Sequence, residues 1–135
     1  MISSHLPRKL VVAMLLALAA QALAVELLLY GGPGHKEFLG CLSCPEYSVN
    51  SVWNEYPRYG FLNDFGVWNR FGAYANRFSS YSMCNRYATD PPVIVDRGGN
   101  FYGRLSINPY IPGSICGVGG VRELCEVIEA ICERK

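Results

Sequence analysis

Pro92-Val-Ile-Val-Asp-Arg-Gly-Gly-Asn-Phe-Tyr-Gly-Arg-Leu-Ser-Ile107 is the stretch that decides the fold. It is an apolar run, a glycine pair and a second run that alternates. Glycine supplies the positive φ that tight hairpin turns demand, so the stretch predicts a β-hairpin bent at Gly98-Gly99. In the second run Phe101, Gly103, Leu105 and Ile107 share one face at period two. Glu26-Leu-Leu-Leu-Tyr-Gly-Gly-Pro-Gly-His-Lys-Glu-Phe-Leu-Gly-Cys-Leu-Ser-Cys44 has the same plan, with its bend at Gly31-Gly32. The second runs align directly, Phe38-x-Gly40-x-Leu42-Ser43 with Phe101-x-Gly103-x-Leu105-Ser106. Tyr47 and Tyr110 follow at the same offset of 63. Two hairpins of one design can share one sheet.

Between the hairpins Ser51-Val-Trp-Asn-Glu-Tyr56 recurs as Gly66-Val-Trp-Asn-Arg-Phe71 and, more loosely, as Ser82-Met-Cys-Asn-Arg-Tyr87. Serine at the head of a short apolar stretch is a helix N-cap, because its hydroxyl accepts an orphan backbone N–H. Pro57 and Gly72 stop the helix. Each copy therefore reads as about one helical turn followed by irregular chain. A repeat this short cannot bury its own rings, so the copies must pack on each other or on the hairpins. The third copy has Cys84 where the others have Trp53 and Trp68. Exchange of a ring for a crosslinking atom marks an inward-facing slot and assigns both tryptophans to the core.

Asp90-Pro91-Pro92 is a stiff extended connector. Val121, Leu124, Cys125, Ile128 and Cys132 fall on one helical stripe, with Glu123, Glu126, Glu129 and Glu133 off it. That predicts a C-terminal helix over 120–133, in which Arg122 can pair with Glu126.

At the other end, Arg8-Lys9, the apolar run Leu10–Ala20 and Ala22-Leu23-Ala24 read as a secretory signal peptide over 1–24. The run is too short for a membrane anchor, and no later run suits a membrane span. The expected mature chain, 25–135, is one domain: hairpin 25–47, aromatic repeat 51–90, hairpin 91–110 and helix 120–133. Without Arg8 and Lys9, ten basic residues face eleven acidic ones, for a net charge of −1. That excludes a nucleic-acid partner, which needs a basic face to displace counterions.

All six cysteines, Cys41, Cys44, Cys84, Cys116, Cys125 and Cys132, lie in the mature part, where an oxidising compartment pairs them. Cys125 and Cys132 are seven residues apart on one helix, at about 1.5 Å per residue. That exceeds the Cα separation of about 7 Å that a disulfide tolerates. Cys41 and Cys44, on or just after a strand and three apart, lie on opposite faces and are expected to pair with distant partners. Cys84 suits one of them and a helix cysteine the other, with Cys116 completing the set.

The alternative reading of Cys41-Leu-Ser-Cys44 is a redox pair. Such a motif normally opens a helix whose N–H groups lower the thiol pKa; here it follows a strand and precedes Pro45. Zinc wants paired ligand sets, and the mature chain has one histidine, His35, read as an exposed turn residue. No metal or cofactor is expected. Glu55, Asp64, Asp90 and Asp96 are the candidate catalytic carboxylates, but no spacing selects a pair. Gly117-Val-Gly-Gly120 lacks the residues of a phosphate cradle.

The Ser-Val-Trp-Asn-x-Tyr copies with Phe-x-Gly-x-Leu hairpins on either side resemble small secreted bacterial proteins of unassigned activity. Their tandem pattern is Ser-[Ile/Val]-[Trp/Phe/Cys]-Asn-x-Tyr-Gly. The resemblance covers about residues 37–107 and departs at Pro57, where the pattern has Gly. It implies a bacterial exported protein and supplies no site residues.

The expectation is therefore a disulfide-stabilised α+β domain: two β-hairpins, an aromatic-rich repeat of short helical turns and a C-terminal helix. The expected function is a non-enzymatic binding or structural protein of the bacterial periplasm or envelope. Its partner would be a protein or an envelope component. An inhibitor or immunity protein against a secreted enzyme is an alternative, and a thiol–disulfide oxidoreductase using Cys41 and Cys44 is another. Arg and Tyr favour binding hot spots, so the candidate contact residues are Tyr59, Tyr74, Arg58, Arg70 and Arg77.

Overall fold

The computed structural model describes residues 25–54, 59–60 and 66–133. The signal-peptide reading of 1–24, and Glu55, Pro57, Arg58 and Asp64, lie outside the described residues. The chain runs β1 (Leu28–Gly31), β2 (Glu37–Cys41), β3 (Val93–Val95), β4 (Phe101–Arg104) and α1 (Arg122–Glu133), with a 3₁₀ turn at Pro33–His35 inside the first hairpin. The two hairpins join in a four-stranded antiparallel sheet in the order β2-β1-β3-β4. This is a small α+β fold.

The hairpins obey a quasi-twofold relation. In the central pair Leu29 opposes Ile94, flanked by Leu28 against Val95 and Tyr30 against Val93. Within the hairpins Leu29 pairs with Gly40 and Tyr30 with Phe38, just as Ile94 pairs with Gly103 and Val95 with Phe101. One residue is therefore bulged on each outer strand, Leu39 in β2 and Tyr102 in β4. The bulge breaks strict alternation: Phe101 is exposed while Gly103 and Leu105 are buried. Each outer strand then accepts a returning serine segment in parallel, Cys41 with Ser51 and Arg104 with Ser114. The backbone bonds match as well, Cys41 N–H to Asn50 C=O and Arg104 N–H to Gly113 C=O. Glycine is required at both bulges. Gly40 has φ +119° and Gly103 φ +153°, and a Cβ on Gly40 would lie 2.7 Å from Val52 Cγ1.

Between the hairpins the described residues form single turns rather than helices. The N–H groups of Asn54, Asn69 and Asn85 close on the carbonyls of Ser51, Gly66 and Ser82. The serine hydroxyl acts as the cap reading implies, but within a turn: the Oγ atoms of Ser51 and Ser82 accept the N–H of Trp53 and Cys84. Ser106 and Ser114 do the same for Asn108 and Cys116. All four serines are buried, which the hydroxyl–backbone bonds make tolerable.

The slot two residues after Ser51, Gly66 and Ser82 faces inward. Trp68 is buried and Trp53 half-buried, their rings stacked at 5.3 Å. Each indole N–H reaches a carbonyl on an earlier segment, Trp53 to Leu42 and Trp68 to Val52, both at 2.7 Å. Cys84, in the third slot, reaches across to α1. The core gathers Leu29, Leu39, Val52, Val67, Met83, Ile94, Leu105 and Ile115 around these residues, closed by Ile128 and Ile131 of α1. Ile131 thus belongs to the buried stripe of the helix, whereas Val121 precedes α1 and is exposed.

Three disulfides complete the fold: Cys41–Cys44, Cys84–Cys132 and Cys116–Cys125. Cys125 and Cys132 each take a partner off the helix. The expectation for Cys41 and Cys44 is overturned, since they bond to each other. β2 ends at Cys41 and the chain turns through Leu42 and Ser43, so strand alternation no longer separates them. Their Cα atoms stand 5.5 Å apart.

Candidate functional site

The turn geometry that buries one ring exposes the next. The side-chain oxygens of Asn69, Asn76, Asn85 and Asn108 accept the backbone N–H of Phe71, Phe78, Tyr87 and Tyr110 respectively. Asparagine closes such local turns readily because its carboxamide mimics a peptide carbonyl. The ring two residues after each asparagine points outward. Phe71 is 93%, Phe78 90%, Tyr87 91% and Tyr110 91% exposed. Single apolar residues at a surface are ordinary. Four large rings presented by one backbone device are not.

Three of these rings begin a groove. Arg77, Phe78, Asn85, Arg86, Tyr87 and Ile107 line a cleft of about 680 Å³, with Glu129 and Glu133 contributed by α1. A second cleft of about 480 Å³ shares Arg86, Tyr87, Ile107 and Glu129 and continues to Asn108, Pro109 and Tyr110. Cys84 and Cys132 lie in the wall of the first, Cys116 in that of the second. The disulfides therefore hold α1 against the ring-bearing turns. Asn85 is held at both ends of its carboxamide, since its amide also donates to Ser79 C=O.

The residues singled out from sequence are scattered. Arg77 lines the first cleft and is exposed; Arg70 is half-buried and outside it. Tyr59 is half-buried, its ring edge-on to Phe38 at 5.1 Å. Tyr74 is a correction: it stands in the core, where its hydroxyl donates to Glu37 Oε2. Burial first, then that bond, pushes its phenol well above the usual tyrosine range. It packs over Gly31, where a Cβ would come within 2.8 Å of its ring. The turn copies hold one tyrosine inside and project others, and ring type alone does not distinguish them. Phe71, Phe78, Tyr87, Tyr110 and Arg86 were missed. The signal was present in Asn69-Arg-Phe71, Asn76-Arg-Phe78 and Asn85-Arg-Tyr87.

The other chemistry-bearing groups are structurally engaged. Asp96 accepts from the N–H groups of Gly98 and Asn100, the Asn100 amide and the Tyr102 hydroxyl. Those bonds, the Asn100 amide foremost, hold its carboxyl below the usual range, and the bond to Asp96 raises the Tyr102 phenol. Asp96 closes the second hairpin loop. His35 is half-buried rather than exposed, and its Nε2 donates to Pro91 C=O at 3.2 Å. Cys116, Cys125 and Glu129 converge as metal ligands would, but both sulfurs are spent on each other and offer no thiolate. Among the described residues no helix is long and apolar enough to cross a membrane.

Comparison with protein-family models, with curated proteins and with solved structures finds no match to this chain. What the fold and the surface define is a class: a disulfide-crosslinked α+β domain that displays aromatic rings along a groove.

Proposed function

We propose that residues 1–24 direct export and are removed, and that the remainder is a non-enzymatic binding protein of the bacterial periplasm or envelope. The ring row carries this reading. Among the described residues Phe71, Phe78, Tyr87 and Tyr110 are the rings left almost wholly to solvent, and rings and arginines are the groups that give contact surfaces most of their energy. An inhibitor or immunity protein would use the same surface. The test is co-sedimentation of the disulfide-intact mature protein with isolated bacterial envelopes. Wild type should pellet, and a variant with all four rings changed to alanine should stay in solution. Equal sedimentation of the two would remove the ring row from the argument.

A second reading has one specific observation in its favour. Cys41 and Cys44 are bonded to each other, as a dithiol–disulfide redox pair must be. Against it, Cys41 is fully buried, and the Cys44 sulfur lies 4.0 Å from a Glu26 carboxylate oxygen. A neighbouring negative charge disfavours the thiolate that exchange requires. Incubation in graded glutathione buffers with thiol trapping decides between them. A binding protein keeps this bridge closed until the fold is lost, and a redox protein opens it reversibly while folded.

A further inference from the structure

We infer that the groove between the 77–87 turns and α1 binds a saccharide chain without net charge; this deepens, and rests on, the binding reading above. The shape calls for an elongated ligand. The two clefts adjoin through Arg86, Tyr87, Ile107 and Glu129 and are open to solvent along their length. A compact small molecule would instead be enclosed on most sides.

The lining calls for a ligand with flat apolar faces and a polar rim. Phe78 and Tyr87 present exposed rings on backbone already fixed by Asn76 and Asn85, so binding has only the two side-chain torsions of each ring left to order. Sugar rings offer C–H faces to such platforms, and their hydroxyls both donate and accept. The polar groups beside the rings are of both kinds. Arg77 and Arg86 supply donors, and the carboxyl groups of Glu129 and Glu133 supply acceptors. Among the described residues none of the four is in an ion pair. These planar groups can fork across neighbouring hydroxyls.

Charge balance excludes the competitors. Among the described residues the lining holds two cations and two anions, a balance that offers little net attraction to a polyanion such as a nucleic acid or an anionic lipid surface. The walls are also preassembled, because Cys84–Cys132 and Cys116–Cys125 pin α1 beside the turns.

The experiment is isothermal titration of the disulfide-intact mature protein with three probes: a β-linked N-acetylglucosamine hexamer, an α-linked glucose hexamer and a heparin hexamer. Binding of either neutral hexamer, with heparin weaker, is the expected result. The Phe78→Ala/Tyr87→Ala variant should lose about tenfold or more in affinity. Both residues lie at the surface, so that variant keeps its fold, which thermal unfolding checks. Glu129→Gln keeps shape and lowers affinity by a smaller factor. Preference for heparin overturns the inference, as does neutral-sugar binding that survives loss of both rings. If neither hexamer binds while ring-dependent envelope sedimentation persists, the saccharide assignment falls and the binding reading stands. If both are absent, both fall.

Discussion

The disulfides make different demands on the unfolded chain, and this ranks their removal. Cys84–Cys132 spans 48 positions, Cys116–Cys125 nine and Cys41–Cys44 three. Loop-closure entropy grows with the logarithm of loop length. It assigns about 4 kcal/mol to the first bridge, about 3 to the second and about 2 to the third. The Cys84→Ala/Cys132→Ala variant also loosens Ile128 and Ile131, which seat the helix in the core. Domains of this size are stable by about 5–15 kcal/mol, so losing about 4 leaves little margin and lowers Tm by roughly 15–30 °C. Urea unfolding of the three double-alanine variants against wild type measures the order. Cys41 and Cys44 are buried as Cys84 and Cys132 are, whereas Cys116 and Cys125 are half-buried, so the comparison of the first two pairs reports loop length together with the seating of α1. A Cys41→Ala/Cys44→Ala loss equal to or larger than the Cys84→Ala/Cys132→Ala loss would overturn this ranking.

Three further outcomes follow from the packing. Gly40→Ala should cost about 2–4 kcal/mol in the same assay, since a Cβ there meets Val52 Cγ1 at 2.7 Å at a φ that L-residues avoid; Gly103→Ala, whose nearest neighbour is Gly113 O at 3.1 Å, should cost less. Trp68→Phe keeps a ring but strips the Val52 carbonyl of its buried donor, for a loss of about 1–3 kcal/mol by urea unfolding. The Tyr74 phenol is raised in the folded state. The unfolded chain therefore releases this proton first as pH rises past about 10, and stability falls there. Unfolding free energies measured from pH 8 to 11 should fall more steeply for wild type than for Tyr74→Phe.

The hairpins were legible in the sequence because their repeated glycines perform the same backbone task twice. The offset of 63 holds in the outer strands, from Phe38/Phe101 through Gly40/Gly103 to Ser51/Ser114. It becomes 65 for Leu29 and Ile94 in the inner pair, because the second loop is two residues shorter. The inward slot was legible from Cys84 replacing tryptophan. The bulges were not, since an inserted residue leaves no mark on composition, and so Phe101 was assigned to the wrong face. Cys41–Cys44 was misread because the strand was carried past Cys41, where the backbone already turns. The outward rings escaped notice because Tyr74, Phe78 and Tyr87 look alike in sequence. What separates them is whether an asparagine stands two residues earlier.

The helix is riveted at two heights. Cys125 and Cys132 are seven residues apart, about 10 Å along the axis, and each is bonded to a different part of the body. One tether would let a cylinder swivel about its own length; two forbid both rotation and sliding. Glu129 lies between the rivets, so it keeps a set azimuth and depth beside Tyr87. A reducing milieu would free that cylinder to turn, and the trench would lose one bank while the aromatic turns opposite kept their form.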